Sequence, residues 1–156
     1  MNQNPKYSDK FMHEHYALMR HAAEGSAVTG EIKPESIEIC KQVTRELAEL
    51  VQGKQITIFH SPIRRAVKTA EIVTAEFKEL GTVCEVKPLD WLRDGDHGVW
   101  NNNIATVCTD SPEHFTLFIC HYRELEDFFG VGRNEDLDEA HNCTIFAKNF
   151  LISGKR

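Results

Sequence analysis

The sequence predicts an α/β fold: one domain in which a mostly parallel sheet is covered by helices on both faces. Apolar runs of strand length alternate along the chain with apolar residues at helical spacing. This alternation is typical of parallel sheets whose strands are connected by helices. The 156 residues contain no internal repeat and no linker rich in proline, glycine or serine, which indicates one domain of common size.

The start of the chain differs from the rest. Residues 1–14 are polar and show no apolar periodicity, so we expect them to form a loosely ordered lead-in. The folded domain is predicted to span residues 15–156.

The first half of the chain predicts two buried strands, each followed by a helix. Short apolar runs at 15–19 and 55–59 are typical of strands in the middle of a sheet. Apolar residues at helical spacing predict a helix over 34–51. A second helix is predicted over 62–80, with Ser61 as its N-cap and proline at its first position.

The second half has a weaker pattern. We predict strands at 82–86 and 115–120, and a last strand over 143–150, where a helix also fits the pattern. Short helices are predicted at 104–108 and 123–129.

Three predicted strands end at polar pairs that include a histidine: Arg20-His21, His60-Ser61 and Cys120-His121. Ligands bind beyond the carboxyl ends of parallel strands, so we expect these pairs to lie close together. Arg65 follows the pair His60-Ser61 by about one helical turn. It could form a guanidinium pair with Arg20 that is suited to a phosphoryl group. His21 among such donors could attack phosphorus, because imidazole is a competent nucleophile. Phosphoryl transfer depends mainly on positioning and charge neutralisation, which these side chains supply.

Several segments resemble motifs of the histidine phosphatase (phosphoglycerate mutase-like) superfamily. Residues 18–22 (LMRHA) resemble its LxRHG or LxRHA signature, and residues 61–70 (SPIRRAVKTA) are similar to its SPLxRAxQTA motif. Residues 92–100 resemble LxExxxGxW with Asp94 in place of glutamate, and residues 142–145 resemble the start of the family's last strand. The resemblance covers nearly the whole chain, with the motifs in the family's order.

The resemblance implies a fold and a site. The fold would be a three-layer sandwich with a six-stranded, largely parallel sheet, and the reaction would use no metal or other cofactor. His21 would be the nucleophile and would contact the phosphate. Arg20, Arg65 and His121 would hold the phosphate oxygens. Asp94 would act as the general acid, a role that His121 could also fill.

The short chain resembles the compact SixA-like branch of this family, which removes phosphate from phosphohistidine on phosphotransfer domains. The expected partners are therefore a phosphorylated protein of that kind or a small phosphate ester, together with phosphate ion. Two alternatives stay open: a small-molecule phosphomonoesterase, and a catalytically weak relative that docks a phosphorylated partner. Cys120 and Tyr122 flank the second histidine where the family usually has small residues.

Charge and hydropathy exclude two further classes of partner. Eighteen basic and 24 acidic residues give a net charge of -6, which provides no overall attraction for nucleic acid or an anionic membrane. No apolar run approaches the roughly 20 residues that span a bilayer. The five cysteines form no CxxC pair, which favours reduced thiols and a cytoplasmic protein.

Overall fold

The computed structural model describes residues 6–93, 99–131, 137 and 140–156. The strands in these ranges are β1 (Tyr16–Arg20), β2 (Gln55–His60), β3 (Glu85–Pro88), β4 (His114–Cys120), β5 (Ile145–Ala147) and β6 (Leu151–Ile152). The helices are α1 (Pro34–Leu50), α2 (Arg64–Glu79), α3 (Trp100–Val107) and α4 (Tyr122–Phe129), with short 3-10 turns at Ser8–Lys10 and Asp90–Arg93. None of the helices in the described ranges combines the length and the apolarity needed to cross a bilayer.

The six strands form one sheet in the order β3-β2-β4-β1-β5-β6. Three of the five neighbouring pairs are parallel, and the two pairs that involve β5 are antiparallel. The predicted six-stranded sheet is therefore confirmed, and its parallel share is smaller than predicted, because β5 and β6 pair in the antiparallel sense. The two antiparallel connections involve the segment predicted as one strand over 143–150. Lys148 and Asn149 interrupt its apolar residues, and the chain reverses there, with Ala147 N–H bonded to the Phe150 carbonyl oxygen at 2.9 Å.

Residues of β1 show how the two faces of the sheet are covered. Ala17 and Met19 belong to a core formed with α1 and α2, whereas Tyr16 and Leu18 belong to a second core formed with α3 and α4. Successive side chains of a strand point to opposite faces, so a strand covered on both faces is apolar at consecutive positions. The predicted helices on both faces are thus confirmed.

The start of α2 differs from the prediction. Ser61 was predicted as the N-cap, and this is wrong: the helix begins at Arg64 and Ile63 occupies the N-cap position. The backbone N–H of Ser61 donates to the Ile119 carbonyl oxygen at 3.0 Å. Ser61 therefore still continues the ladder between β2 and β4, and the helix cannot begin until the chain has turned away from the sheet.

Two further elements, one strand and one helix, begin at other residues than those predicted. The strand predicted at 82–86 is found at Glu85–Pro88, where all four residues are exposed at the edge of the sheet. An exposed edge strand does not need an apolar run, so the pattern marks its position poorly. The helix predicted at 104–108 begins earlier, at Trp100, and buries that side chain.

Part of the predicted lead-in is packed against the domain. Tyr7 and Phe11 are 7% and 3% exposed and belong to the second core. Their rings contact Phe129, with ring centres 4.6 and 5.8 Å from its own. Two aromatic side chains bury enough apolar surface to order a short segment that is otherwise polar. The domain boundary at residue 15 stays a prediction.

The C-terminal segment contains a glycine that leaves no room for a side chain. A Cβ at Gly154 would lie 1.8 Å from the Asn142 carbonyl oxygen and 3.0 Å from the Thr144 backbone nitrogen. We expect Gly154→Ala to lower the free energy of unfolding by about 1–3 kcal/mol through overpacking. Gly25→Ala is the matched control, since a Cβ there makes only ordinary contacts at 3.6 Å or more. Urea unfolding monitored by fluorescence measures both variants, and equal stability of the two would contradict the close approach.

Candidate active site

The carboxyl ends of the central strands bring the two predicted histidines to one edge of the sheet. Arg20 ends β1 and is followed by His21, while His121 follows β4. The two strands are parallel neighbours, and His21 N–H donates to the Cys120 carbonyl oxygen at 3.0 Å. The ring centres of His21 and His121 are consequently 5.1 Å apart.

The two nitrogens of the His21 ring have different partners. Nδ1 lies 2.7 Å from the Ala22 carbonyl oxygen, and since a carbonyl oxygen only accepts, Nδ1 carries the proton. The lone pair of the neutral ring is then on Nε2, which accepts a hydrogen bond from Arg65 Nε at 3.1 Å. Burial lowers the pKa of His21 to about 4; the Ala22 bond opposes this shift and the charges of Arg65 and Arg20 reinforce it.

The backbone that carries His21 is held by the loop before β5. Asn142 Nδ2 donates to the His21 carbonyl oxygen at 2.9 Å. Cys143 N–H donates to the Arg20 carbonyl oxygen at 3.1 Å. Cys143 has a φ of 71°, a left-handed conformation that costs free energy in a residue with a side chain. The loop thus adopts a strained turn that places its donors against the end of β1.

Arg20 is held between the sheet and α4. Its guanidinium carbon lies 4.9 Å from the ring centre of Tyr122, which is a cation–π contact, and its Nη1 donates to the Ala140 carbonyl oxygen at 2.8 Å. The Tyr122 hydroxyl accepts a hydrogen bond from Leu137 N–H at 3.0 Å. Arg20 Nε is buried and has no hydrogen-bond partner among the described residues. Burial also lowers the pKa of Arg20.

Arg65 approaches His21 from the first turn of α2. Its Nη1 lies 3.6 Å from Glu24 Oε1, and its side chain is 31% exposed. Thr69, one turn later, donates to the Arg65 carbonyl oxygen at 2.7 Å and accepts from Ala22 N–H at 2.9 Å. The Thr69 hydroxyl therefore connects the helix to the backbone that follows His21.

His121 contacts Ser61 from the neighbouring strand end. The distance from His121 Nε2 to Ser61 Oγ is 2.8 Å, and Nδ1 is buried without a partner in the described part of the chain. Burial lowers the pKa of His121 to about 3, with further lowering by His21, Arg65 and Arg20. Both histidines are therefore neutral at pH 7, and the two arginines provide the positive charge at this edge.

This arrangement is suited to a tetrahedral anion. Arg20 Nε and His121 Nδ1 are buried polar atoms without hydrogen-bond partners in the described ranges, and leaving such atoms unsatisfied costs free energy. Both atoms are covered in this structure, so a phosphoryl oxygen could satisfy them once the groups that cover them move aside, and Arg65 adds a partly exposed cation. In the described ranges, no group of three or more His, Cys, Asp or Glu side chains is arranged to hold a metal ion.

One predicted site residue cannot be placed. Asp94, predicted as the general acid, lies outside the described residues, so its role stays a prediction. The structure also brings residues to the site that were not predicted there. Asn142 lies in the segment 142–145 that resembles the start of the family's last strand, and Tyr122 differs from the small residue usual in the family, so both could have been singled out from the sequence. Thr69 belongs to the segment 61–70 that resembles SPLxRAxQTA, so it too could have been singled out, whereas Glu24 stood out only by its closeness to His21 in the sequence.

Comparison with known proteins assigns the family. The sequence matches the histidine phosphatase superfamily (branch 1) over residues 17–128, more than two thirds of the chain. A search among curated proteins finds no match.

Solved structures share the fold at low sequence identity. A protein assigned as the phosphohistidine phosphatase SixA of Agrobacterium tumefaciens is 14% identical, with a TM-score of 0.62 over 92% of this chain and 97% of that one. A second protein assigned as SixA, from Nakamurella multipartitia, is 22% identical. Its TM-score is 0.52, and the match covers 68% of this chain and 58% of that chain. A mycobacterial glucosyl-3-phosphoglycerate phosphatase, in complex with inorganic phosphate, is 11% identical, with a TM-score of 0.56 over 92% and 100%.

The fold and the paired histidines and arginines define an enzyme of phosphoryl chemistry. The chain belongs to the histidine phosphatase superfamily, which places it among phosphate hydrolases.

The lowered histidine pKa values predict a pH-dependent stability. His21 and His121 titrate near pH 4 and 3 in the folded protein and near 6.5 when unfolded. Below pH 6.5 the unfolded chain therefore binds more protons, and stability falls as the pH drops toward 4. Each histidine contributes up to about 1.4 kcal/mol per pH unit to this slope.

The measurement compares wild type with His21→Gln by urea unfolding between pH 7 and 4. We expect the variant to lose about half of this histidine-dependent slope, because one of the two buried neutral rings is gone. Subtracting one pH slope from the other cancels the contribution of the carboxylates, because both proteins contain the same ones. Identical slopes would show that His21 is not buried as a neutral ring.

Proposed function

We propose that the chain is a metal-independent phosphatase that works through a phosphohistidine intermediate on His21. The observation that carries the proposal is the hydrogen bond from Arg65 Nε to His21 Nε2, which marks the ring nitrogen that has the lone pair. The second imidazole, His121, lies beside this ring. A neutral, oriented imidazole surrounded by cationic and neutral hydrogen-bond donors is the arrangement that nucleophilic attack on phosphorus requires.

Binding of the phosphoryl group would prepare the nucleophile. Arg65 Nε donates to His21 Nε2 at 3.1 Å, so the lone pair is engaged before substrate binds. Phosphoryl oxygens are stronger acceptors for a guanidinium than a neutral imidazole is. An incoming phosphoryl group therefore draws Arg65 toward its own oxygens and frees Nε2 for attack. The partial exposure of Arg65 leaves it room to make this change.

In the first chemical step, His21 Nε2 forms a bond to phosphorus and the bond to the leaving group breaks. The ring then carries Nε2–P and Nδ1–H and has gained positive charge, which the Ala22 carbonyl oxygen stabilises through Nδ1–H. The leaving group takes a proton from Asp94, the proposed general acid, because neutral His121 has no acidic proton to give at pH 7. Arg20, Arg65 and His121 contact the equatorial oxygens, where charge is spread in the transition state.

In the second step, water attacks phosphorus and the N–P bond breaks. Phosphate leaves, and His21 returns to the neutral form with its proton on Nδ1. The proton lost by the water returns to the group that protonated the leaving group, so protons and charge balance over the cycle.

The proposed substrate is phosphohistidine on a protein such as a phosphotransfer domain. The likeness to proteins assigned as SixA supports this choice, and protonated phosphohistidine releases a neutral imidazole with little help from an acid. We further propose a cytoplasmic location, which is consistent with five free cysteines. The likeness to a phosphatase of glucosyl-3-phosphoglycerate keeps a small phosphate ester as the alternative substrate. A catalytically weak protein that binds a phosphorylated partner is the second alternative.

Removing the nucleophile tests the mechanism. We expect His21→Gln to lower kcat by at least about 10³-fold, because the covalent route is lost, and to abolish an acid-labile phosphoenzyme trapped with ³²P-labelled substrate. His15→Gln, at the opposite end of β1, is the matched control and should retain both. Full turnover by His21→Gln would assign the nucleophile elsewhere.

A substrate comparison separates the three functions. We expect wild type to hydrolyse a phosphohistidine-containing phosphotransfer domain with a kcat/KM at least about tenfold above that for p-nitrophenyl phosphate. A chelator should change neither rate. The reverse preference would favour a small-molecule phosphomonoesterase, and binding of the phosphorylated domain without turnover would favour the docking protein. Loss of activity on chelation would contradict a metal-independent reaction.

A further inference from the structure

Ser61 is a buried hydroxyl that contacts the second histidine from another strand. It is 0% exposed and lies directly after β2, whereas His121 lies directly after β4. The Ser61 backbone is fixed by its hydrogen bond to Ile119, at 3.0 Å. Its Oγ is consequently presented to His121 Nε2, at 2.8 Å, by the sheet itself.

Counting donors and acceptors assigns the proton in this contact. Ile63 N–H donates to Ser61 Oγ at 3.2 Å, so the oxygen already accepts one hydrogen bond. The single hydroxyl proton needs an acceptor, and His121 Nε2 is the acceptor at hydrogen-bond distance. When Nε2 accepts from Ser61, a neutral imidazole carries its own proton on Nδ1.

The assignment explains the state of the other ring nitrogen. His121 Nδ1 is buried and has no partner among the residues that the structure describes. As an N–H group it is a donor without an acceptor in the described ranges, and the proposed function supplies one in a phosphoryl oxygen once the groups that cover Nδ1 move aside. As a bare lone pair it would repel that oxygen. The tautomer therefore decides whether His121 assists or opposes phosphate binding.

Protonating both nitrogens is an unfavourable way to provide the same donor. Arg20 and Arg65 are the cationic side chains that act on His121, and His21 lies beside it. A third positive charge in this buried group costs free energy through burial and repulsion. Selecting the Nδ1–H tautomer gives the donor without the charge.

We propose that Ser61 is a positioning residue that holds neutral His121 as the Nδ1–H tautomer, so that this N–H donates to the phosphoryl group. The inference rests on the proposed function for its catalytic consequence. Its structural part concerns the unliganded protein and can be tested without turnover.

The first experiment is ¹⁵N NMR of the histidine rings in the full chain at pH 7. We expect the wild-type His121 spectrum to show a protonated Nδ1 and an unprotonated Nε2. Ser61→Ala should lose this pattern and show a mixture of the two neutral tautomers, and Ser61→Thr should restore it because the hydroxyl remains. Thr116→Val removes a buried hydroxyl from the far half of β4 while keeping its shape, and should leave the pattern unchanged.

The second experiment measures turnover of the same variants. We expect Ser61→Ala to lower kcat by about 10- to 100-fold, the range for a residue that orients another, with a smaller change in KM. Ser61→Thr should recover most of that loss. Thermal unfolding of each variant reports whether the added methyl group of Thr or the loss of the hydroxyl disturbs folding.

The outcomes distinguish this inference from the proposed function. A wild-type His121 protonated on Nε2, or Ser61→Ala with unchanged tautomer and kcat, would overturn the inference while leaving His21 as the nucleophile. Undiminished turnover by His21→Gln would overturn the proposed function, although the tautomer held by Ser61 could still be observed.

Discussion

The hydrogen bond from His21 Nδ1 to the Ala22 carbonyl oxygen is the constraint on which the rest of the site depends. Because a carbonyl oxygen only accepts, this bond leaves the lone pair on Nε2. Two further features act on Nε2. Arg65 donates a hydrogen bond to it, and burial lowers the pKa of His21, so that Nε2 stays unprotonated. The carbonyl group of His21 is itself held by Asn142. Backbone geometry, rather than a strongly basic neighbour, thus determines which ring nitrogen carries the lone pair.

Much of the fold and the position of the site followed from local features of the sequence. The run 15–19 is apolar at consecutive positions because helices cover both faces of β1, so it could be recognised as a central strand. Parallel neighbouring strands end at the same edge, and this places His21 beside His121 without any knowledge of side-chain contacts. The strand predicted at 82–86 lies instead at Glu85–Pro88. An edge strand buries little apolar surface, so the apolar pattern locates it poorly.

The contacts between elements could not be predicted in the same way. Ser61 was predicted as a helix N-cap from its neighbour proline, yet its hydroxyl contacts a histidine 60 residues later in the chain. Only the register between β2 and β4 brings these side chains together, and a one-dimensional pattern does not contain that register. Tyr122 could be seen to differ from the small residues of the family, but its position under a guanidinium group depends on where α4 begins. The role of Asp94 depends on a segment outside the described residues and stays a prediction.

The two arginines differ in how firmly they are held, and this has a consequence for the breadth of substrates. Arg20 is enclosed by the Tyr122 ring and the Ala140 carbonyl oxygen, whereas Arg65 is nearly one third exposed and has a long contact with Glu24. Arg20 is thus covered on both sides of its guanidinium group, whereas Arg65 can reorient toward solvent. Leaving groups of different size would then be accommodated on the exposed side beside Arg65, and sequence changes around Glu24 would alter both which molecules fit and how Arg65 meets the phosphoryl group.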